Sequence, residues 1–159
     1  MKRKLRHSFD EVNRGNLGAI VRQFSPDAEH WFSGSHGLSG RRDNIADISQ
    51  WYDRLAVVLP DLKFEITAVT VSGWPWNTVA MVEWVDSFTD RQGYRYSNQG
   101  VHIIGLKWGK LTSLHIYCDT QKLSDACRAL GEQGVKLATA PPIGAQEPFA
   151  AAQRVSLPQ

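Results

Sequence analysis

Polar side chains recur along the segment from Tyr96 to Thr120, which is predicted to form two strands folded back on each other. They are Asn98, His102, His115, Tyr117 and Asp119. A carboxylate held beside an amide or an imidazole can donate or accept a proton during a reaction. These residue types therefore indicate general acid–base chemistry, provided that the strands bring them onto one face.

The turn between the two strands sets their pairing. We expect Trp108-Gly109 to be a two-residue hairpin turn, with Lys107 opposite Lys110. Successive side chains of a strand point to opposite faces, so a shift of one residue would exchange the two faces. The assignment of every side chain below depends on this register.

The two faces of the predicted hairpin differ in chemistry. The polar face contains the pairs His102–His115, Gly100–Tyr117 and Asn98–Asp119. The other face is apolar and contains Val101, Ile103, Leu114, Ile116 and Cys118.

The preceding strand extends the polar row. If Asp90 faces Tyr94 across the next turn, Asp86 lies beside Asn98 and Trp84 lies beside Gly100. Two carboxylates, Asp86 and Asp119, then lie close to one amide among aromatic walls. Burial raises the pKa of the carboxyl in the drier wall, which can then exchange a proton near neutral pH. This turn is longer than the other, and Glu83 is the alternative to Asp86.

Other residues are candidates for the wall or mouth of a ligand cavity. Four are expected to contribute rings, namely Trp31, Trp51, Tyr52 and His36. The competing interpretation is a sheet with one solvated face, on which such polar residues need no function. No spacing of His or Cys typical of a metal site occurs, and no glycine-rich phosphate or dinucleotide motif occurs. We therefore expect neither a metal nor a cofactor.

The elements that must position these residues follow from the hydrophobic pattern. Helical spacing predicts helices over 5–13, 17–24, 43–59 and 123–130. Alternation predicts a short strand at 28–32 and four longer strands at 62–71, 78–89, 96–107 and 110–118. Helices followed by an antiparallel meander make an α+β domain, in which a long helix across a curved sheet leaves a conical cavity.

Composition limits the classes of protein. The chain has 159 residues, is 42% hydrophobic and carries a formal charge of +2, which suits one domain over 1–137. The segment 138–159 is rich in Ala and Pro, and we expect a disordered tail or an arm on a partner subunit. No apolar run approaches the about 20 residues that span a bilayer, and no signal peptide is apparent. We expect a cytoplasmic protein with reduced cysteines and with neither a nucleic-acid nor a membrane partner.

Three stretches carry a resemblance to a known family. "VNRGNLGAIVRQF", "LSGRRDNI" and "NQGVHII…WGKL…YCDT" together resemble the SnoaL-like branch of the nuclear transport factor 2-like superfamily, which includes ketosteroid isomerase-like and polyketide cyclase-like proteins. The resemblance implies a cone-shaped, cystatin-like α+β barrel. It also implies a homodimer through the outer sheet face, for which we predict Val101, Ile103, Leu114 and Ile116.

The same resemblance assigns roles to site residues. The aspartate that ends the last strand is the proton donor and acceptor of the polyketide cyclases, and Asp119 holds that position. The matching histidine is His102, although Asn98 lies closer across the predicted ladder. We therefore predict a cofactor-independent isomerase, cyclase or hydrolase that binds an apolar carbonyl compound. The alternative is a non-catalytic dimer that binds an apolar small molecule.

Overall fold

The computed structural model describes residues 1–145. Its helices are α1 (Lys2–Asn13), α2 (Leu17–Val21), α3 (Ile45–Val58) and α4 (Thr120–Glu132), followed by a 3-10 turn at Lys136–Ala138. Its strands are β1 (Phe24–Phe32), β2 (Gly40–Arg42), β3 (Lys63–Trp74), β4 (Asn77–Thr89), β5 (Arg95–Lys107) and β6 (Lys110–Cys118). Among these described residues, no helix has the length and apolar character needed to cross a membrane.

The six strands form one curved, unclosed sheet in the order β2-β1-β6-β5-β4-β3. All neighbours are antiparallel except β1 and β6, which run parallel. The helices cover the concave face, so the predicted α+β class is confirmed. The sheet is wider than the predicted meander because β1 and β2 join its edge through β6.

The helices bury one stripe each against the sheet. In α1 the buried residues are Leu5 and Phe9. In α3 they are Ile48, Trp51, Tyr52, Leu55 and Val58. The Asn44 side chain caps α3 by accepting a hydrogen bond from the Asp47 backbone N–H at 2.9 Å. This cap fixes the start of α3 and hence the direction in which its aromatic stripe faces.

Strand β1 begins earlier than predicted. Phe24 was expected to end α2, but α2 stops at Val21 and Phe24 is the first residue of a nine-residue strand. It is buried and pairs with Leu111 of β6. The local pattern could not reveal this, because the parallel partner lies far along the chain.

The β5–β6 hairpin contains a bulge that the sequence did not reveal. Lys107 pairs with Lys110 as predicted, but the register shifts between Gly105 and Leu106. A side chain on Gly105 would collide with the Ser113 hydroxyl. The close approach of β6 to β5 at the bulge therefore requires a residue without a side chain at this position. Beyond it, every pairing differs by one residue from the prediction.

This shift corrects two sets of assignments. Leu114 and Ile116 are buried on the concave face, so their predicted place on the outer, dimer-forming face is wrong. His115 and Tyr117 lie on the outer face instead of in the cavity, where they pair with Ile103 and Val101.

The pairing of β4 with β5 agrees with the prediction. Asp86 pairs with Asn98, Trp84 with Gly100 and Val82 with His102. Asp86, Asn98 and His102 therefore lie on the face of the sheet that the helices cover, on neighbouring strands as predicted.

Part of the predicted tail packs on the domain itself. Ala138 and Ile143 are buried, and the backbone groups of Ala145 and Arg41 exchange two hydrogen bonds. The buried Arg42 guanidinium also donates to the Ile143 carbonyl at 3.2 Å. The remainder of the predicted tail, 146–159, lies outside the described residues.

Candidate functional site

A cavity lies between the concave face of the sheet and helices α1, α3 and α4. About 90 Å³ is open to the centres of water-sized spheres, which is enough for several waters or part of a small ligand. Most of its wall is apolar, and the polar exceptions at the sheet are Asp86, Asn98 and His102. Such a wall with a few placed polar groups is typical of a small-molecule site.

Asp86 is the carboxylate of this cavity. It lies on β4 and is 9% exposed, and one oxygen accepts a hydrogen bond from the Asn98 backbone N–H at 2.9 Å. Burial raises the pKa of Asp86 to about 6, against the opposing effect of that hydrogen bond. Its second oxygen accepts no hydrogen bond from the residues that the structure describes. Asp86 can therefore exchange a proton near neutral pH.

His102 is held in one tautomer by Trp84. The indole Nε1–H of Trp84 donates to Nδ1 of His102 at 2.6 Å. An indole nitrogen can only donate, so Nδ1 must be unprotonated and the ring proton must lie on Nε2. Burial lowers the pKa of His102 to about 3. The imidazole is thus neutral at physiological pH and acts as a hydrogen-bond donor, not as a base.

Gly100 makes the Trp84 position possible. A Cβ on Gly100 would lie 2.7 and 2.8 Å from two ring atoms of Trp84, and 2.1 Å from the Tyr117 carbonyl oxygen. The indole therefore lies directly over the Gly100 backbone, on the concave face, and from there reaches His102. The sequence predicts Gly100 in the polar row, but the space that it leaves for the Trp84 ring depends on a contact between strands that the local pattern does not contain.

The wall around His102 is aromatic. The ring centroids of Phe9 and Phe64 lie 5.1 and 5.9 Å from that of His102. Phe64 also packs edge-on against Trp84 at 5.0 Å. Neither phenylalanine was predicted as a site residue, and the apolar stripe of α1 was the one signal that pointed Phe9 inward.

Asn98 lines the cavity, but its amide has a structural partner. Its Nδ2 donates to the Asp119 backbone carbonyl at 3.0 Å, and its Oδ1 accepts from the Gln99 N–H at 2.8 Å. Asn98 thereby ties the end of β6 to β5. It holds Asp86 through its backbone rather than through its side chain.

Asp119 lies outside the cavity, contrary to its predicted place. It is exposed and caps α4, and its side chain accepts a hydrogen bond from the Lys122 backbone N–H at 3.2 Å. Helix α4 starts three residues earlier than predicted, so the aspartate that ends β6 becomes its cap. Cys118, the residue before it, lines the cavity instead.

The remaining candidates divide between the cavity and the surface. Trp51 and Tyr52 line the cavity, and the Trp51 indole donates to the Leu38 carbonyl at 2.8 Å. Trp31 packs on the outer face, its ring centroid 5.0 Å from that of Tyr117 and 6.0 Å from that of His115.

The other two histidines in question have partners of their own. His115 pairs with the Glu29 carboxylate at 2.6 Å on the outer face. His36 closes its own loop, with Nε2 2.9 Å from the Ser33 carbonyl and Nδ1 accepting from the Leu38 N–H at 3.2 Å. His36 was predicted to contact a ligand, but it does not line this cavity.

Metal-binding groups do not converge in the described part of the chain. Within residues 1–145, no three His, Cys, Asp or Glu side chains lie together in a way that could hold a metal ion. The chemistry that this cavity offers is a carboxylate that can take up a proton and a neutral imidazole N–H.

Comparison with known proteins supports the resemblance stated from the sequence. The sequence model of the SnoaL-like domain matches residues 5–114. None of the curated proteins is similar enough to match the chain.

Solved structures share the fold at low identity. An NTF2-like protein of unknown function from Burkholderia pseudomallei has a TM-score of 0.65 at 15% identity, covering 87% of this chain and 97% of that one. A putative isomerase from Bacillus subtilis has a TM-score of 0.65 at 16% identity, covering 77% and 88%. TerC, co-crystallised with polyporic acid, has a TM-score of 0.60 at 18% identity, covering 75% and 91%. At these identities the likeness concerns the fold alone.

Proposed function

This chain belongs to the SnoaL-like domain family, and we propose that it is a cofactor-independent enzyme that moves a proton on an apolar carbonyl compound. Membership of the family supports a small-molecule enzyme or binder. The observation that carries the finer proposal is Asp86, a carboxylate in an apolar cavity whose pKa is raised to about 6.

Asp86 would act as the general base. Its free oxygen takes a proton from an sp³ carbon at the end of a C=C system that is conjugated with the ligand carbonyl. The electron pair of that C–H bond moves through the π system to the carbonyl oxygen, which accepts a hydrogen bond from Nε2–H of His102. Return of the proton to another carbon completes an isomerisation. Attack of the carbanion on a second carbonyl, with Asp86 protonating the new alkoxide, completes a cyclisation.

The spacing of the two groups bears on the ligand. Val82, which pairs with His102, lies four residues from Asp86 along β4, or about 13 Å between Cα atoms. A ligand that touches both groups is therefore elongated and has its carbonyl away from the carbon that loses the proton. The aromatic wall around His102 suits a flat, conjugated compound.

Hydrogen–deuterium exchange tests the base directly. The protein is incubated in D₂O with elongated, conjugated ketones whose acidic C–H is separated from the carbonyl by C=C bonds, such as β-ionone, and mass spectrometry measures deuterium uptake. We expect Asp86→Asn to slow uptake about 100-fold or more, because a positioned general base typically contributes about 10²–10⁴. Asp119→Asn is the matched control and should stay within a few-fold of wild type. Loss in Asp119→Asn with retention in Asp86→Asn would reverse the assignment.

The same cavity supports a non-catalytic binder as the second candidate. The apolar wall favours this reading, since it holds an apolar molecule without any chemistry. Saturable quenching of tryptophan fluorescence by the ketones, without deuterium uptake by wild type, would establish the binder and exclude the enzyme for these ligands.

We also propose that the chain forms a homodimer through the outer sheet face. Val79, Met81 and Val85 of β4 are exposed there, beside Val101 and Ile103 of β5. An exposed apolar patch on a sheet face is typical of an interface. Light scattering after size exclusion should give a dimer mass for wild type and a monomer mass for Met81→Glu. A monomeric wild type would exclude the dimer.

A further inference from the structure

Three of the six tryptophans lie exposed together at one end of the sheet. Trp74, Trp76 and Trp108 are 65%, 51% and 68% exposed, and they occupy the tips of the β3–β4 and β5–β6 hairpins. We call these three residues the tryptophan tip. Large rings are rarely left in water without a partner, so such a cluster marks an interaction surface.

Specific contacts hold the tryptophan tip together. The rings of Trp74 and Trp76 stack with centroids 5.6 Å apart and an interplanar angle of 7°. The Trp108 ring lies 6.1 Å from that of Trp76, and the Trp108 backbone N–H donates to the Pro75 carbonyl at 2.6 Å. The two hairpins therefore present their rings as one surface.

The backbone of Trp108 is strained. Trp108 has φ +52° and Gly109 has φ +79°, as in a two-residue turn with both central residues left-handed. Asn, Asp or Gly normally occupies the first of these positions, whereas a bulky residue there is an outlier. Asparagine would suit this turn conformation better, so the backbone of the turn does not account for a tryptophan at position 108.

Basic residues occur in the segments that form or adjoin the tryptophan tip. Lys107 and Lys110 flank the Trp108-Gly109 turn, and Lys2, Arg3, Lys4 and Arg6 belong to the first turns of α1; we call these six residues the basic collar. Lys4 of α1 donates to the Gly109 carbonyl at 2.7 Å, which brings the start of α1 to the tip. Segments 1–9, 73–82 and 104–116 contain no Asp or Glu. Four basic residues in the first turns of α1 also oppose the helix dipole, so folding alone does not favour them.

We propose that the tryptophan tip and basic collar dock on an anionic lipid bilayer. Indole rings favour the headgroup region of a bilayer, and lysine and arginine beside them bind its phosphates. The sequence-based expectation of no membrane partner rested on the lack of a spanning segment, which a peripheral surface does not need. Lys4, Leu106 and Leu111 also line the cavity, so the docked end is next to the place where an apolar ligand is held.

The arrangement favours a bilayer over a nucleic acid. Single-stranded nucleic acid is bound by rings spaced along a basic groove, each with a face for one base. Here Trp74 and Trp76 cover one face of each other, and the rings gather at a tip rather than along a groove.

Vesicle flotation tests the proposal with the whole chain. Wild type is mixed with vesicles of phosphatidylcholine alone or with about one third phosphatidylglycerol, at low and high salt. We expect binding to the anionic vesicles at low salt, with a blue shift of tryptophan emission and weaker binding at high salt.

Variants separate docking from folding. Trp108→Asn should fold at least as stably as wild type, because asparagine suits the turn, yet bind vesicles several-fold more weakly. Lys107→Glu with Lys110→Glu should weaken binding about tenfold or more. Tyr94→Ser is the control, since Tyr94 is 64% exposed at the other end of the β4–β5 ladder, and it should bind like wild type.

Several results would overturn the proposal. Failure of wild type to float with anionic vesicles would do so. Binding as strong as that of wild type by both Trp108→Asn and the double lysine variant would do so as well. Binding to a single-stranded oligonucleotide without binding to vesicles would assign the surface to nucleic acid. Self-association lost in Trp108→Asn, again without vesicle binding, would assign it to a second copy of the chain.

Discussion

Replacing Asp86 by asparagine should change how stability depends on pH in a way that burial of this carboxyl dictates. The pKa of Asp86 is about 6 in the folded chain, against 3.8 for an unperturbed aspartate side chain. Between these values the folded state binds more protons than the unfolded state, so the stability that Asp86 contributes falls as pH rises. Above about pH 6 the penalty for the charged, buried form is complete. It amounts to about 3 kcal/mol for a shift of this size.

Asp86→Asn removes that penalty and keeps an oxygen that can accept the Asn98 N–H. Its stability advantage over wild type should grow by about 1.4 kcal/mol between pH 5 and pH 8. Any pH-independent effect of the asparagine side chain changes the free energy of unfolding equally at pH 5 and pH 8, so it leaves this difference unchanged. Urea denaturation of both proteins across this range measures it. Glu83→Gln is the control, because it removes an exposed carboxylate from the outer face of the same strand.

The difference between variants is needed because wild type alone conceals the effect. The pKa of His102 is lowered to about 3, so the unfolded state binds more protons between about pH 3 and pH 6.5. The stability from neutral His102 is complete above pH 6.5, and about 2 kcal/mol of it is lost at pH 5. This trend is opposite to that of Asp86. Parallel pH profiles for wild type and Asp86→Asn would refute the raised pKa and, with it, the proposed base.

The remaining predictions concern single contacts. Trp84→Phe leaves Nδ1 of His102 without its donor, so stability should fall by about 1–3 kcal/mol, and ¹⁵N chemical shifts should show a mixture of tautomers in place of Nε2–H. Gly100→Ala forces a Cβ against the Trp84 ring and the Tyr117 carbonyl and should cost about 1–3 kcal/mol in urea denaturation. Gly18→Ala in α2 should be neutral or stabilising, because its Cβ would make only an ordinary contact, 3.5 Å from Nη1 of Arg22. Arg42→Met leaves the Ser39, Gly40 and Ile143 carbonyls without their donor and should lower the free energy of unfolding by about 3 kcal/mol or more; an unchanged value would show that these bonds add nothing.

The sequence predicted the fold and the pairing of β4 with β5 for the same physical reason. Helical and alternating periods identify which strands and helices exist, and a short turn fixes the register of its strands. The pairing of Asp86 with Asn98 and of Val82 with His102 followed from such a count. Where the ladder is regular, counting from the turn is sufficient.

The predicted pairing of β5 with β6 was wrong because of a single irregularity in that hairpin. The bulge at Gly105 moves β6 by one position, which sends His115 and Tyr117 outward and Leu114 and Ile116 inward. The bulge depends on the close approach of Ser113 to Gly105 across the sheet, and local periodicity does not contain such a contact. Parallel pairing of β1 with β6 was missed for the same reason.

The carboxylate that lines the cavity is Asp86 of β4 and not Asp119 at the end of β6, and this difference has a chemical consequence. Asp119 is exposed, and one of its oxygens accepts a hydrogen bond from the first turn of α4. Asp86 is buried, has one oxygen bound to a backbone N–H and leaves the other toward the cavity. A carboxyl can exchange a proton with an apolar ligand only where water is excluded and an oxygen is available, and of the two aspartates Asp86 meets both conditions. Because the neutral His102 donates and cannot serve as the base, the proton transfer that we propose for this cavity requires Asp86.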